Sequence, residues 1–135
     1  MKFLLDTNIC IYLINKKPTH VFEKFKTHAV GDIGFSVITS CELAYGVAHS
    51  QRPTENKLVL QEFLAPLEVL GFPMDAAAVY GDMRADLKRR GCLLGPLDML
   101  IAAHALYANY TLVTNNEREF EKVSGLTIEN WVRKR

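Results

Sequence analysis

Asp6, Glu42 and Asp98 are the side chains whose types and positions suit them to chemistry. Asp6 ends the apolar run Phe3-Leu4-Leu5, Glu42 follows Ile33–Ser36, and Asn115-Asn116 follow Thr111-Leu112-Val113-Thr114. If those runs are parallel strands, these residues share one sheet edge, and Asp98 joins them if the amino end of its helix points there. Carboxylates a few ångströms apart repel and raise one another's pKa unless a cation neutralises them. Oxygen ligands without paired His or Cys favour Mg²⁺ or Mn²⁺ over zinc. Such ions lower the pKa of bound water and brace the attacking and leaving oxygens of a phosphodiester.

Each acid also has a purely structural explanation. Asp6 would cap a helix beginning at Thr7, and Thr39-x-x-Glu42 has the form of a capping box. Asp98, just after Gly95-Pro96, would meet the positive end of a helix dipole. Capping explains each acid alone, but it does not explain why three of them converge. Other chemistries find no footing: the chain has no Gly-x-Ser-x-Gly elbow, no phosphate-binding Gly-x-x-x-x-Gly-Lys-Ser/Thr loop and no His-Glu-x-x-His. His20, His28, His49 and His104 are scattered and read as surface or satisfied core residues. A dehalogenase-like phosphatase needs an acid two residues after Asp6, where Asn8 stands.

The elements that must position these acids follow from periodicity and punctuation. Residues 2–5 read as a strand running into a helix from Thr7 that stops before Pro18. A second helix is expected from Thr19 to about His28 and a strand over Ile33–Ser36; Thr39-Ser40-Cys41-Glu42 opens the next helix. Pro53 starts another helix, Glu68–Leu70 gives a brief strand, and residues 75–90 form an amphipathic helix closed by Gly91. Gly95-Pro96 opens a helix running to about Asn109, followed by a strand over 111–114, one or two helical turns over 117–123 and an edge strand over 126–128. Strands alternating with helices imply an α/β fold, a parallel or mostly parallel sheet covered on both faces. Ligands in such folds bind beyond the carboxyl ends of the strands, near the point where strand order reverses.

Composition agrees. The 135 residues, 49% hydrophobic and 23% charged, suit a single domain spanning 1–135 rather than a disordered or fibrous chain. A net charge of +1 gives no global signature for nucleic acid, so any RNA contact must be local. Basic residues cluster at Lys16-Lys17, at Arg84 with Lys88, Arg89 and Arg90, and at Arg133-Lys134-Arg135, each of which suits a solvated face. Cys10, Cys41 and Cys92 have no paired spacing and read as free thiols. No apolar stretch approaches the length needed to span a bilayer, and a cytoplasmic location is expected.

Over nearly its whole length the chain resembles the PIN-domain ribonucleases, and in particular the VapC toxins of bacterial toxin-antitoxin pairs. The resemblance rests on Phe3-Leu4-Leu5-Asp6-Thr7-Asn8, on Ser36-Val37-Ile38-Thr39 leading to Glu42-Leu43 and Tyr45-Gly46, on Gly95-Pro96 with Asp98 and Ile101-Ala102-Ala103, and on Leu112-Val113-Thr114-Asn115-Asn116 with Glu119-Phe120. It implies a three-layer α/β/α sandwich and Mg²⁺- or Mn²⁺-dependent RNA cleavage. It also implies homodimers inhibited by a cognate VapB antitoxin, with operator DNA contacted only through that antitoxin. By motif position, Asp6, Glu42 and Asp98 look like the metal-binding acids, Thr7 and Asn8 like supports of the first loop, and Thr39 and Thr114 like residues that orient the acids. Arg84 is a candidate substrate contact.

Where many relatives carry a fourth Asp, this chain has Asn116, which leaves Glu119 as the nearest acidic substitute and Asn115 beside it. The likeness of Asp6–Tyr12 and Thr114–Phe120 to tRNA-cutting toxins points to the anticodon loop of tRNA as substrate. Two rivals remain at this stage: a PIN nuclease that processes RNA without being a toxin, and a PIN module that binds RNA without cutting it.

Overall fold

The computed structural model describes residues 2–133. In chain order the elements are β1 (Phe3–Leu5), α1 (Thr7–Asn15), α2 (Thr19–Lys26), a 3₁₀ turn (Val30–Asp32), β2 (Ile33–Ser36), α3 (Val37–Ala48), α4 (Pro53–Leu64), β3 (Glu68–Leu70), α5 (Ala76–Arg89), α6 (Pro96–Ala108), β4 (Thr111–Val113), α7 (Glu117–Phe120) and β5 (Ile128–Glu129). The five strands lie in the order β3-β2-β1-β4-β5, and every neighbouring pair is parallel.

Alternation along the central strands separates the two cores. Phe3, Leu5, Ile33, Phe35 and Val113 face one layer, where Ile9, Cys10 and Leu13 of α1, Val21 of α2 and Leu43 of α3 meet them. Leu4 and Leu112 face the other, against Met83 and Leu87 of α5, Met99 and Ile101 of α6, and Phe120 of α7. The result is a three-layer α/β/α sandwich. Gly34 keeps β2 and β3 in register, because a Cβ there would stand 2.7 Å from Leu70 Cδ1 and 2.9 Å from the Glu68 carbonyl. Strand order reverses between β1 and β4, so their carboxyl ends open the crevice where such folds take ligands.

β1 and β4 are each one residue shorter than expected and α2 ends at Lys26; three further boundaries differ from the sequence expectation. The helix bearing Glu42 starts at Val37, because Ser36 Oγ accepts from the Ile38 N–H and caps it; Thr39 lies inside the helix, fully buried, and the capping-box reading fails. The strand expected over 126–128 is displaced to Ile128–Glu129, where Leu112 and Val113 of β4 pair with it. Helix α7 ends at Phe120 instead of continuing to Val123. Arg133 pairs with Glu117 at 3.2 Å, whereas Lys134 and Arg135 of the basic tail lie outside the described residues. No described helix is long and apolar enough to cross a membrane.

Candidate active site

Asp6 sits where β1 turns into α1, and its backbone and side chain are both committed. Its N–H donates to the Val113 carbonyl at 3.0 Å, locking β1 to β4, and its Oδ1 accepts from the Ile9 N–H at 2.9 Å as the N-cap of α1. It is only 6% exposed. Burial pushes its pKa up to about 6, against the lowering effect of hydrogen bonds from Thr114 and the Ile9 N–H; the charges of Asp98 and Glu42 push it further up. Capping and clustering are therefore properties of the same carboxylate.

The second acid arrives from α3. Thr7 Oγ1 donates to Glu42 Oε1 at 2.6 Å and stands 3.4 Å from Thr39 Oγ1, which ties the start of α1 to the middle of α3. Glu42 is half-buried in the second turn of its helix. The third acid, Asp98, occupies the first turn of α6, where Pro96 begins the helix at no hydrogen-bonding cost. Partial burial raises its pKa, and the charges of Glu42 and Glu119 raise it again. Sheet and helices thus bring Asp6, Glu42, Asp98 and Glu119 into one field.

The loop after β4 is built around Thr114. This buried hydroxyl hydrogen-bonds to Asp6 and accepts the Asn116 N–H at 2.9 Å. Asn115 and Asn116 are exposed; Asn115 Oδ1 accepts from Asn130 Nδ2 at 3.2 Å, and the Asn116 carbonyl accepts from the Glu119 and Phe120 N–H groups. Glu119 also faces Lys122, at 3.9 Å. Asn8 is exposed in the first turn of α1 and makes no side-chain hydrogen bond among the described residues. Arg84 lies on the exposed side of α5, where its Nη1 donates to Tyr80 Oη at 2.6 Å, and it pairs with none of the acids.

Two contributors escaped the sequence reading. Asn130 clamps the loop, bonding to Asn115 and Glu117 while its own Oδ1 accepts the Val132 and Arg133 N–H groups. His104, buried in α6, has Nδ1 2.8 Å from Ser36 Oγ, so the helix of Asp98 meets the cap of the helix of Glu42. Its Nε2 is buried without a partner among the described residues, so it is a half-satisfied core histidine rather than the satisfied one expected. A serine directly before Val37-Ile38 was a legible cap; nothing local marks Asn130 or His104.

Asp6, Glu42 and Asp98 form no ion pair with Lys, Arg or His among the described residues. Their oxygen-only chemistry and mutually repelling like charges fit a hard divalent cation. The set is nonetheless open: among the described residues no group of three His, Cys, Asp or Glu side chains is arranged to hold an ion. Glu42 is instead bonded to Thr7, and Asp6 to the Ile9 N–H and Thr114.

Residues 3–126 match the PIN domain. The chain is 44% identical over 131 residues to the tRNA(fMet)-specific endonuclease VapC of Shigella flexneri, an alignment covering 97% of this chain and 98% of that protein. Among solved structures, VapBC2 of Rickettsia felis bound to a promoter DNA fragment superposes with a TM-score of 0.92 at 40% identity, covering 97% of this chain and 99% of that one. DNA-bound VapBC of Salmonella typhimurium superposes with a TM-score of 0.91 at 44% identity, covering 97% and 98%.

Proposed function

The chain belongs to the PIN-domain family, among the VapC ribonucleases, and from that premise we propose that it is the toxin endoribonuclease of a toxin-antitoxin pair, cutting tRNA in the anticodon loop. The observation that carries the reading is the trio Asp6, Glu42 and Asp98 at the β1/β4 switch point, with Asp6 and Asp98 held above their ordinary pKa and none of the three in an ion pair among the described residues. Asp6, Glu42 and Asp98 would hold a divalent cation, with Mg²⁺ or Mn²⁺ as the candidates. When bound, that ion would lower the pKa of a water molecule and neutralise charge at the phosphate.

The chain's own residues do the positioning. The Ile9 N–H and Thr114 hold Asp6 in place and favour its ionised form against burial, Thr7 aims Glu42, and the first turn of α6 presents Asp98. Glu119 reaches Asp98 electrostatically and, with Asn116 at the base of its turn, is the proposed outer member of the set. Single-stranded loops offer an accessible backbone and splayed bases, which a duplex does not, and this favours a tRNA loop over paired RNA.

A cognate VapB-type antitoxin is the proposed inhibitor. A groove of about 360 Å³ between α1, α3 and α4 is lined by Ile11, Ile14, Leu43, Val59 and Leu60 and runs up to Glu42, so an apolar helix lying in it would cover the acids. Ile11 and Val59 are exposed there. We also propose a homodimer, and operator DNA contact through the antitoxin only, in keeping with a net charge of +1.

The test is to incubate the purified chain with total cellular RNA in Mg²⁺, Mn²⁺ or EDTA and to sequence the cut ends. Cleavage confined to a tRNA anticodon loop, abolished by EDTA and by the cognate antitoxin, is expected. Cuts spread evenly through messenger RNA would defeat the substrate choice, and intact RNA in every metal would defeat the enzyme.

A further inference from the structure

Helix α3 continues well past Glu42, and its outer half carries a feature that the fold does not use. At 100° per residue, Glu42, Tyr45, Gly46 and His49 fall within an arc of about 100° on one side of the helix. Tyr45 stands about 4.5 Å and His49 about 10.5 Å further along the axis than Glu42. Helical side chains lean toward the amino end, which for Tyr45 is the direction of Glu42.

Tyr45 is 69% exposed, and its ring lies nearly parallel to that of His49, with centroids 5.6 Å apart and planes 9° apart. Neither side chain makes a hydrogen bond within the described residues. Gly46 is equally unexplained from inside, because a Cβ there would meet nothing within 4 Å although glycine weakens a helix interior. Two nearly parallel rings and a bare strip of backbone on the same helix face as a carboxylate of the site suit a flat ligand that approaches closely. Bases of single-stranded RNA stack on such rings without regard to sequence.

We propose that Tyr45 and His49 form a stacking ledge for an unpaired RNA base flanking the scissile phosphodiester, with Gly46 leaving the helix backbone open to the strand. The ledge rests on the ribonuclease reading for its occupant and is continuous with the acid cluster through Glu42. It makes Tyr45 a substrate-binding residue, acting on KM and leaving the chemical step to the acids.

Steady-state cleavage of bulk tRNA in Mn²⁺ by the antitoxin-free protein tests this, together with binding of a fluorescein-labelled single-stranded RNA to the Asp98→Asn protein. Tyr45→Ala is expected to raise KM and weaken RNA binding about tenfold with kcat nearly unchanged, and Tyr45→Phe and Tyr45→Trp to restore both. Gly46→Ala is expected to raise the melting temperature and yet to raise KM, a pairing that a purely structural role would not produce. Wild-type KM and RNA affinity in Tyr45→Ala would overturn the ledge, and loss of antitoxin inhibition alone in that variant would reassign it to the antitoxin. If the wild-type chain cuts no RNA, the ribonuclease reading falls by itself; RNA binding that still depends on the Tyr45 ring would then sustain the ledge.

Discussion

Asp86 on α5 and Asp98 at the start of α6 are the same side chain on two helices packed against each other, and the protein treats their charges in opposite ways. Asp86 is bonded by Arg90 at 2.7 Å with Arg89 at 3.9 Å, and this partnership holds its pKa below the ordinary value. Asp98 makes no ion pair among the described residues; burial and the charges of Glu42 and Glu119 hold its pKa up. One acid is neutralised by its own helix at i+3 and i+4. The other lies in the field of further acids, which raise its pKa. The same residue type is therefore surface dressing in one place and a candidate ligand in the other, and the neighbours decide which.

The largest expected effect is on cleavage. Asp6→Asn, Glu42→Gln and Asp98→Asn should each abolish RNA cutting while circular dichroism reports an intact fold, and Asp86→Asn should leave activity untouched. A clean Asp98→Asn protein with normal Mn²⁺-dependent cleavage would erase the distinction between the two aspartates.

Metal binding should separate them next. If Mn²⁺ binds only the folded state, a concentration about a hundred times its dissociation constant adds about 2.7 kcal/mol to unfolding stability. Asp98→Asn should shrink that gain and Asp86→Asn should not, as followed by chemical denaturation across a Mn²⁺ titration. A flat response in the wild type would count against a site formed without RNA.

Glu119 lies between the two cases, since it raises the pKa of Asp98 and also faces Lys122. Glu119→Gln should lower cleavage about 10- to 100-fold, less than Asp98→Asn does, and adding Asn116→Asp should recover part of the loss by restoring an acid to the β4 loop. Wild-type rates for Glu119→Gln would leave three acids in the site.

The smallest effect concerns pH. The folded-state pKa of Asp6, about 6, lies above its ordinary 3.8, so ionisation opposes folding: the associated stability is fully present below about pH 3.8 and is lost as pH rises through about 6. In EDTA, Asp6→Asn should flatten this decline by roughly 1–2 kcal/mol between pH 4 and pH 7, as read by urea unfolding at each pH. For Asp86 the sign reverses, because its lowered pKa supports folding above the ordinary value and that support fades as pH falls. An Asp6→Asn protein with the wild-type pH profile would remove Asp6 from the buried, mutually repelling group.

The sequence carried much of this in local signals. A strand ending in Asp6, a proline-started helix with Asp98 in its first turn and apolar runs between helical patterns were enough to imply a parallel sheet with acids at one edge. Such features are short-range, because caps, turns and periodicity act within a few residues. Thr39-x-x-Glu42 misled because a capping motif is also an ordinary helix interior, and only the Ser36 cap shows where α3 begins. The last strand slid from 126–128 to 128–129 because β4, not its own composition, sets the register of an edge strand.

What tertiary structure alone decided are the relations between residues distant in the chain. Thr7 holds Glu42 across 35 positions, His104 meets the α3 cap across 68, and Asn130 ties down the loop after β4. No pattern within a helix or strand encodes those pairings; they exist because the sheet places the carboxyl ends of β1, β2 and β4 side by side. The sequence determined which residues are acidic and which turn each one follows. Whether an acid ends up paired, like Asp86, or in the field of other acids, like Asp98, depends on distances that arise only when the layers close, since carboxylate repulsion and burial act through space and not along the chain.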